Sequence, residues 1–385
     1  MVLAARARVN RAGARVGNSF TSPLHDERTA ALLGVALGVA FGICFLTGVV
    51  SHLIQHPPGW FWWPTRPVWL YRVTQGAHVA TGLASVPLLL AKLWTVYPHF
   101  WTWPPVRGIA HAAERLSLLP LVGGSLFMLV TGVQNIARWY AWPFNFTAAH
   151  YSVAWITIGG LVVHIGAKLH ITRRALAAPT SAVADASALS RRGFLASVAV
   201  GSAVITAATV GQTLRPFRAL SALGPRDPVV GPQGVPINKT AAGAGVVAAI
   251  GDEQYRLVVD GKVATPLSLS LDDLRAMPQR EVHLPITCVE GWSATGRWRG
   301  VPVADLLAAA RAREGASARV ESLQQHSRYR VSSLDHRQVA DRDTLLALEL
   351  NGEPLHPDHG YPVRLIAPNR PGVLQTKWLA RVQVR

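Results

Sequence analysis

The sequence predicts a two-part molecule: an N-terminal transmembrane α-helical bundle of four helices plus a fifth anchoring helix, followed by a C-terminal α+β, β-rich domain. Three observations predict it. Half of the residues are apolar and only 15% are charged, too few charges for an ordinary soluble enzyme and too much apolar character for disorder. Five stretches free of Asp, Glu, Lys and Arg, each near the roughly 20 residues that cross a bilayer, precede Arg215. Beyond about Pro225 the pattern changes to short alternating runs bounded by turn residues.

The charge-free stretches run at about Ala30 to Ser51, Val73 to Ala91, Leu116 to Ala137, Tyr151 to Ala167 and Gly193 to Leu214. The N-terminal tail carries Arg6, Arg8, Arg11 and Arg15, the second connection Lys92, Arg107 and Arg115, and the fourth Lys168, Arg173, Arg174, Arg191 and Arg192. Positive charge marks cytoplasmic segments, so these three lie inside. The first and third connections hold Trp60, Trp62, Trp63, Trp69, Trp139 and Trp142 and lie outside, with their rings expected at headgroup depth. An odd number of spans then exports the tail. The expected location is a bacterial cell membrane, multi-pass, with the C-terminal domain on the extracytoplasmic side. The formal net charge of +17 is scattered over termini and loops rather than gathered on one face, so it reads as topology signal and no nucleic acid partner is expected.

The expected domains are residues 1–28, a cytoplasmic basic tail and the start of the first helix; 29–174, the four-helix membrane domain; 175–190, an Ala/Ser/Thr-rich cytoplasmic linker; 191–214, the fifth helix; 215–229, a second linker; and 230–385, the β-rich domain. The fifth helix opens with Ser190-Arg191-Arg192-Gly193-Phe194-Leu195. This resembles a twin-arginine export signal, which implies the twin-arginine export machinery as a partner and suits a domain that folds around a cofactor before export. The alternative is a pair of ordinary inside anchors. In the tail, Tyr255 to Val259 reads as a strand closed by Asp260-Gly261, a hairpin-type turn; Ala304 to Ala310 reads as a helix; Val363 to Ile366 and Ala380 to Arg385 read as strands.

Ionisable residues inside a membrane are expensive and so point to function. His150 and His164 lie fourteen residues apart on the fourth span. At the α-helical repeat that spacing returns to nearly the same face and separates them by roughly 21 Å, which is what two haems stacked across a bilayer require. Low-spin haem b takes two imidazoles. His78 matches His150 in depth at the outer side. The position fourteen residues after His78 is Lys92, so the inner partner must come from elsewhere, and His25 supplies it. Ser22-Pro23-Leu24-His25-Asp26-Glu27 reads as a helix start, with Ser22 as N-cap, Pro23 at the first helical position and acids in the first turn. His52 competes with His78, and a single outer haem is the alternative to two. His56, His99, His111 and His170 read as interfacial or hydrogen-bonded residues. The quartet His25, His78, His150 and His164 resembles the di-haem cytochrome b subunit of membrane formate dehydrogenases, over about residues 20 to 172. That resemblance implies haem b and a membrane quinone or quinol.

Cys44 lies in an apolar run and Cys288 in the tail, so neither a disulfide framework nor a cysteine-based zinc site is available. Spacing alone favours a buried structural thiol at Cys288, although a lone cysteine between a strand and a Gly-containing loop can also give one thiolate to a soft metal. Its surroundings are Ile286-Thr287-Cys288-Val289-Glu290-Gly291-Trp292-Ser293 and then Trp298-Arg299-Gly300-Val301-Pro302. A later block runs Glu349-Leu350-Asn351-Gly352-Glu353-Pro354-Leu355, Asp358-His359-Gly360-Tyr361-Pro362-Val363-Arg364 and Lys377-Trp378-Leu379. These words resemble the molybdopterin domain of the sulfite oxidase superfamily, nearest to the methionine sulfoxide reductase catalytic subunits, over about residues 230 to 385. The resemblance implies a sulfite-oxidase-type fold, a molybdenum–molybdopterin cofactor with Cys288 as metal ligand, and His359, Arg364 and Lys377 on the pterin and its phosphate. Val235 to Lys239 matches an early pterin-contacting strand more weakly and nominates Asn238. Cationic and N–H donors are what a buried dianionic phosphate needs, and Gly360 and Gly372 would let backbone approach the cofactor.

Two departures bear on substrate. Val289 to Gly296 contains no arginine, whereas sulfite oxidases carry arginines after the metal cysteine for their anionic substrate. Glu290 reads either as a substrate-site acid or as a hydrogen-bonded loop carboxylate. The chain also stops soon after Leu379, so dimerisation through an immunoglobulin-like C-terminal domain is not expected, and the sequence assigns no oligomeric state. The expected function is a membrane-bound oxidoreductase that reduces an S-oxide or N-oxide with electrons from the quinone pool. A sulfur-compound oxidase passing electrons inward, and a non-catalytic electron-transfer module, are the alternatives.

Overall fold

The computed structural model describes residues 20, 22–100, 108–178, 189–251 and 253–385. Arg6, Arg8, Arg11, Arg15, Arg107 and most of the 175–190 linker lie outside the described residues. The described chain forms two compact units, one from the residues up to Thr47 with Ala77–Thr209, the other from Gly48–Gly76 with Val210–Arg385.

The first unit is helical: α1 (Glu27–Gln55), α2 (Leu70–Phe100), α3 (Ile109–Leu118), α4 (Gly124–Ala137), α5 (Phe146–Ala177) and α6 (Arg191–Val210). Among the described residues five helices are long and apolar enough to cross a membrane, α3 and α4 counting as one through the π turn Leu119–Gly123 that joins them. Pro120 sits in that turn; its missing N–H removes a helical hydrogen bond, which accounts for the widened register. Apolar side chains such as Val39, Leu46, Val162 and Val204 face outward, as lipid contact permits. Inside, Leu33, Ala91 and Val198 bring α1, α2 and α6 together. The α4 and α5 backbones approach closely through small residues: a Cβ on Gly124 would stand 2.2 Å from Thr157 Oγ1, and one on Gly160 would stand 3.3 Å from the Leu121 nitrogen.

Two helix ends differ from the sequence expectation. Asn145 caps α5 by accepting from the Ala148 N–H at 3.3 Å, so the helix begins at Phe146 and His150 falls in its second turn. The same helix continues to Ala177, taking in the start of the expected linker.

In the second unit two five-stranded sheets carry the fold. The strands are β1 (Leu257–Gly261), β2 (Leu267–Leu269), β3 (Arg280–Thr287), β4 (Ser293–Pro302), β5 (Ala318–Ser322), β6 (Val331–Leu334), β7 (Leu345–Leu350), β8 (Glu353–Pro354), β9 (Arg364–Ile366) and β10 (Leu379–Val384). One sheet has the order β2-β1-β10-β5-β6; the other runs β3-β4-β7-β8, with β9 on β7. Val259, Leu306, Val320, Leu346 and Val382 fill one core, and Ile286, Cys288, Trp292, Trp298 and Leu350 fill another.

Asp260-Gly261 opens the connection of a hairpin wider than a two-residue turn, in which β1 pairs antiparallel with β2 from Leu257↔Leu269 to Val259↔Leu267. Both residues belong to β1 and pair in parallel with Gln383 and Val384. Asp260 holds Arg381 with both carboxylate oxygens at 3.0 Å, and Gly261 has φ +91 with the Val384 carbonyl 2.2 Å from where a Cβ would stand. Here the glycine serves close backbone approach to a strand from the far end of the chain, beside the hairpin connection that it opens.

The segment Gly48–Gly76 is tied to the same unit. Trp63 Nε1 donates to the Asn369 carbonyl at 3.0 Å, Asn369 Nδ2 donates to the Pro64 carbonyl at 2.6 Å, and the Tyr71 N–H donates to Asn369 Oδ1 at 2.6 Å. Arg66 pairs with Asp341 and Asp343, and the Arg337 guanidinium lies 4.8 Å from the Trp62 ring centre. At least Trp63 therefore has a partner within folded protein, which a free aromatic anchor would lack.

Candidate functional site

Cys288 follows the last residue of β3, in a tight turn closed by the Cys288 N–H to the Trp292 carbonyl at 2.9 Å and the Gly291 N–H to the Cys288 carbonyl at 3.2 Å. Gly291 has φ +95, a conformation that favours glycine. The side chain is 4% exposed, and Asn238 Nδ2 donates to its sulfur at 2.9 Å. Burial pushes the thiol up to about 12, with the nearby Glu290 charge adding to the rise. Glu290 is itself buried and accepts from Trp292 Nε1 at 3.0 Å, so it is at least a loop carboxylate. A thiol so placed stays protonated until a bound cation offsets the cost of the thiolate.

The second cluster gathers His359, Arg364 and Lys377. Arg364 Nη1 donates to the His359 carbonyl at 3.1 Å, and its guanidinium carbon lies 5.3 Å from the Trp298 ring centre. The guanidinium is buried, its Nε has no partner among the described residues, and burial pulls it down to about 9. Lys377 Nζ donates to the carbonyls of Asp358 at 2.7 Å and Lys239 at 2.8 Å; burial, then the Arg364 charge, pulls its ammonium well below the ordinary lysine range. His359 Nε2 donates to the Pro232 carbonyl at 2.8 Å, which fixes the tautomer, and burial with the Arg364 charge brings the ring down to about 4. Gly360, at φ +112, would place a Cβ 3.0 Å from Lys377 Cβ and 3.2 Å from Arg364 Cβ, so the absence of a side chain there lets the cluster close.

Asn238-Lys239 joins the two clusters: Asn238 reaches the Cys288 sulfur, while the Lys239 carbonyl takes the Lys377 ammonium. All six tail residues nominated from sequence thus lie in a connected neighbourhood. Gly372 packs differently from expectation, since a Cβ there would meet Ile286 Cγ2 and the Thr287 carbonyl, each at 3.1 Å. Its close approach is to the strand that presents Cys288. Sequence reasoning missed Tyr329, close enough to sense the charge state of Cys288; burial pushes its phenol up, the Arg328 charge opposes the rise, and a thiolate at Cys288 would add to it. It also missed Gln75, whose Nε2 donates to the Val289 carbonyl at 3.0 Å. Neither sits in a recognisable word.

Of the four histidines expected as haem ligands, three engage Nδ1. His78 meets the Cys44 carbonyl at 2.8 Å, His25 the Thr95 carbonyl at 3.0 Å and His150 the Thr131 hydroxyl at 3.0 Å. His164 Nδ1 has no partner among the described residues. It lines a cavity of about 710 Å³ together with Gly34, Gly38, Lys92, Glu114 and Lys168. His25 does not line that cavity and packs instead on Trp94, with ring centres 4.4 Å apart. Among the described residues no group of three His, Cys, Asp or Glu side chains is arranged to hold a metal ion alone.

Comparison with known proteins bears on the tail. A family model described as the oxidoreductase molybdopterin binding domain matches residues 244–385. Mitochondrial sulfite oxidase of Rattus norvegicus is 36% identical over 159 residues, which cover 34% of this chain and 29% of that protein. The match thus spans less than a third of the mammalian enzyme. YuiH of Bacillus subtilis (strain 168), named as an uncharacterized oxidoreductase, is 32% identical over 157 residues, covering 39% of this chain and 78% of YuiH. YedZ1 of Azospira oryzae, a candidate protein-methionine-sulfoxide reductase subunit, is 32% identical over 125 residues, or 32% of this chain and 47% of YedZ1.

Proposed function

Because this chain belongs to the family of oxidoreductases built on a molybdopterin-binding domain, we propose that it is a membrane-bound molybdenum enzyme that reduces S-oxides or N-oxides with electrons from the quinone pool, carried through two haems b. The observation that carries the reading is the junction of a buried thiol with a buried guanidinium whose Nε lacks a partner among the described residues. An isolated buried cation is costly, and a bound phosphate would offset that cost. Arg364 and Lys377 would hold the phosphate end of the cofactor, neutral His359 and Asn238 would contact it by hydrogen bonds, and Cys288 would ligate the metal. When bound, the molybdenum centre supplies two-electron oxygen-atom transfer.

The chain's own groups set the conditions for that chemistry. The Cys288 turn is buried, which excludes bulk water from the thiolate. Glu290 and the arginine-free loop disfavour a small dianion and suit a neutral S-oxide or N-oxide, with Glu290 as the substrate-site acid. In the net change an S-oxide takes up two protons and two electrons, its sulfur–oxygen bond breaks, and the sulfide and one water leave. Oxidation of one quinol to its quinone releases the same two protons and two electrons. The names of the matched sulfite oxidases favour a second reading, in which a reduced sulfur compound is oxidised and the electrons run inward.

For haem, the support is the engagement of Nδ1 at His25, His78 and His150, which leaves Nε2 as the ligating nitrogen and fixes ring orientation. The pair His78 and His150 would hold the outer haem, and His25 and His164 the inner one. Five apolar helices and the cationic inner connections support a multi-pass location with the catalytic domain outside, and Arg191-Arg192 at the head of α6 supports export by the twin-arginine machinery. The test is a count of molybdenum and haem on purified wild-type and Cys288→Ala chains, with quinol-driven turnover of an S-oxide and N-oxide panel and, in the other direction, sulfite. The wild type should hold one molybdenum and two haems per chain and reduce S-oxides, and Cys288→Ala should lose molybdenum with its haems intact. A wild type without molybdenum, or a variant that keeps it, refutes the assignment.

A further inference from the structure

The loop that presents Cys288 is held from outside the molybdopterin-binding domain. Gln75, near the start of α2, is 4% exposed and donates from Nε2 to the Val289 carbonyl at 3.0 Å. Its amide orientation is fixed by two hydroxyls: Ser51 Oγ and Tyr71 OH donate to Gln75 Oε1 at 3.0 and 3.3 Å, and those two hydroxyls lie 3.2 Å from each other. A flipped amide would set Oε1 against the Val289 carbonyl, oxygen facing oxygen. Ser51, Tyr71 and Gln75 are all buried, so water does not compete for these bonds. The scaffold behind them is also fixed, through Tyr71 N–H to Asn369 Oδ1 at 2.6 Å and Trp63 Nε1 to the Asn369 carbonyl at 3.0 Å. Val68 packs against the core that contains Cys288.

The Val289 carbonyl belongs to the Val289–Glu290 peptide, inside the turn that the Cys288 N–H closes on the Trp292 carbonyl at 2.9 Å. The other end of that peptide, the Glu290 N–H, hydrogen-bonds the Cys288 sulfur, so holding its carbonyl fixes the dipole that the sulfur feels. We infer that Gln75, oriented by Ser51 and Tyr71, is a positioning residue for the metal-binding cysteine, so that the segment Gly48–Gly76 completes the molybdenum site. The inference rests on the reading of Cys288 as metal ligand. Groups that orient a first ligand through one hydrogen bond typically change activity or affinity by roughly 10- to 100-fold when removed.

The test uses the full chain, purified with its cofactor, as wild type, Gln75→Leu and the double variant Ser51→Ala/Tyr71→Phe. Leu fills the same space without a donor, and the double variant leaves Gln75 in place but frees its amide to flip. Three quantities are read: molybdenum per chain, the g values and hyperfine couplings of the Mo(V) electron paramagnetic resonance signal, and turnover per molybdenum. Positioning predicts molybdenum within twofold of wild type, a displaced Mo(V) signal and a kcat per molybdenum lower by roughly tenfold. The double variant should shift the signal in the same direction by less. Wild-type signal and turnover per molybdenum in either variant would overturn the inference, including the case where the metal load falls. Where Gln75→Leu fails to accumulate, the double variant decides. A wild-type chain without molybdenum sinks the enzymatic reading instead, which separates the two failures.

Discussion

Replacing Arg364 by Met should act in opposite directions on the cofactor-free and the loaded protein. Burial holds the guanidinium at about 9 against an ordinary 12.5, which corresponds to roughly 5 kcal/mol of desolvation carried by the empty site. Met removes that cost. It also leaves the His359 carbonyl without the 3.1 Å donor, at about 1–3 kcal/mol, and gives up the contact with the Trp298 face, at about 0.5–2 kcal/mol. The balance runs from neutral to roughly 3 kcal/mol more stable, or up to about 10 °C in the melting transition of a domain this size. With the phosphate bound, truncating one partner of a buried charge pair costs about 2–5 kcal/mol, so cofactor affinity should fall by about 30-fold to several thousandfold. The assay is the thermal transition of the full chain from cells that make no molybdopterin, followed by tryptophan fluorescence, beside molybdenum per chain from cells that do. A drop of more than about 4 °C in the cofactor-free variant, equivalent to about 1–2 kcal/mol, would make Arg364 a structural cation. Wild-type molybdenum content in the variant would equally refute the phosphate role.

Three further outcomes are expected. Gly360→Ala strains a backbone at φ +112 and drives a methyl group to 3.0 Å from Lys377 Cβ, so it should destabilise the domain by about 1–3 kcal/mol and lower molybdenum content, read by melting and metal analysis. His359 has a folded pKa of about 4 against 6.5, so between those values the unfolded chain binds the extra proton; stability should be full above about pH 6.5 and fall by about 3 kcal/mol as the pH approaches 4, and His359→Gln should remove that part of the pH dependence in the cofactor-free protein. His78→Ala should halve the pyridine haemochrome yield and leave molybdenum unchanged, whereas a yield equal to wild type would return His52 to contention as the outer ligand.

What could be read from sequence divides along the range of the interactions that decide each feature. The long apolar helices were legible because a charge-free run of about 20 residues is a local property of the sequence. Cys288, His359, Arg364 and Lys377 were legible as words, since the same short peptides that carry them also build the turn and strand that present them. Asp260-Gly261 marks the β1–β2 hairpin locally, but its parallel pairing with β10, at the end of the chain, carries no local signal. Pro120 gave no warning of a π turn, because the neighbouring helix packing that tolerates it, Gly160 against Leu121, is tertiary. Gln75 is the clearest instance: its partner Val289 lies 214 residues away, and a glutamine near a helix start carries no periodicity or motif. The positions that refine a site are those whose partners come from another part of the chain, which is why the candidate residues stood out in short words while the contacts that hold them were visible only in the fold.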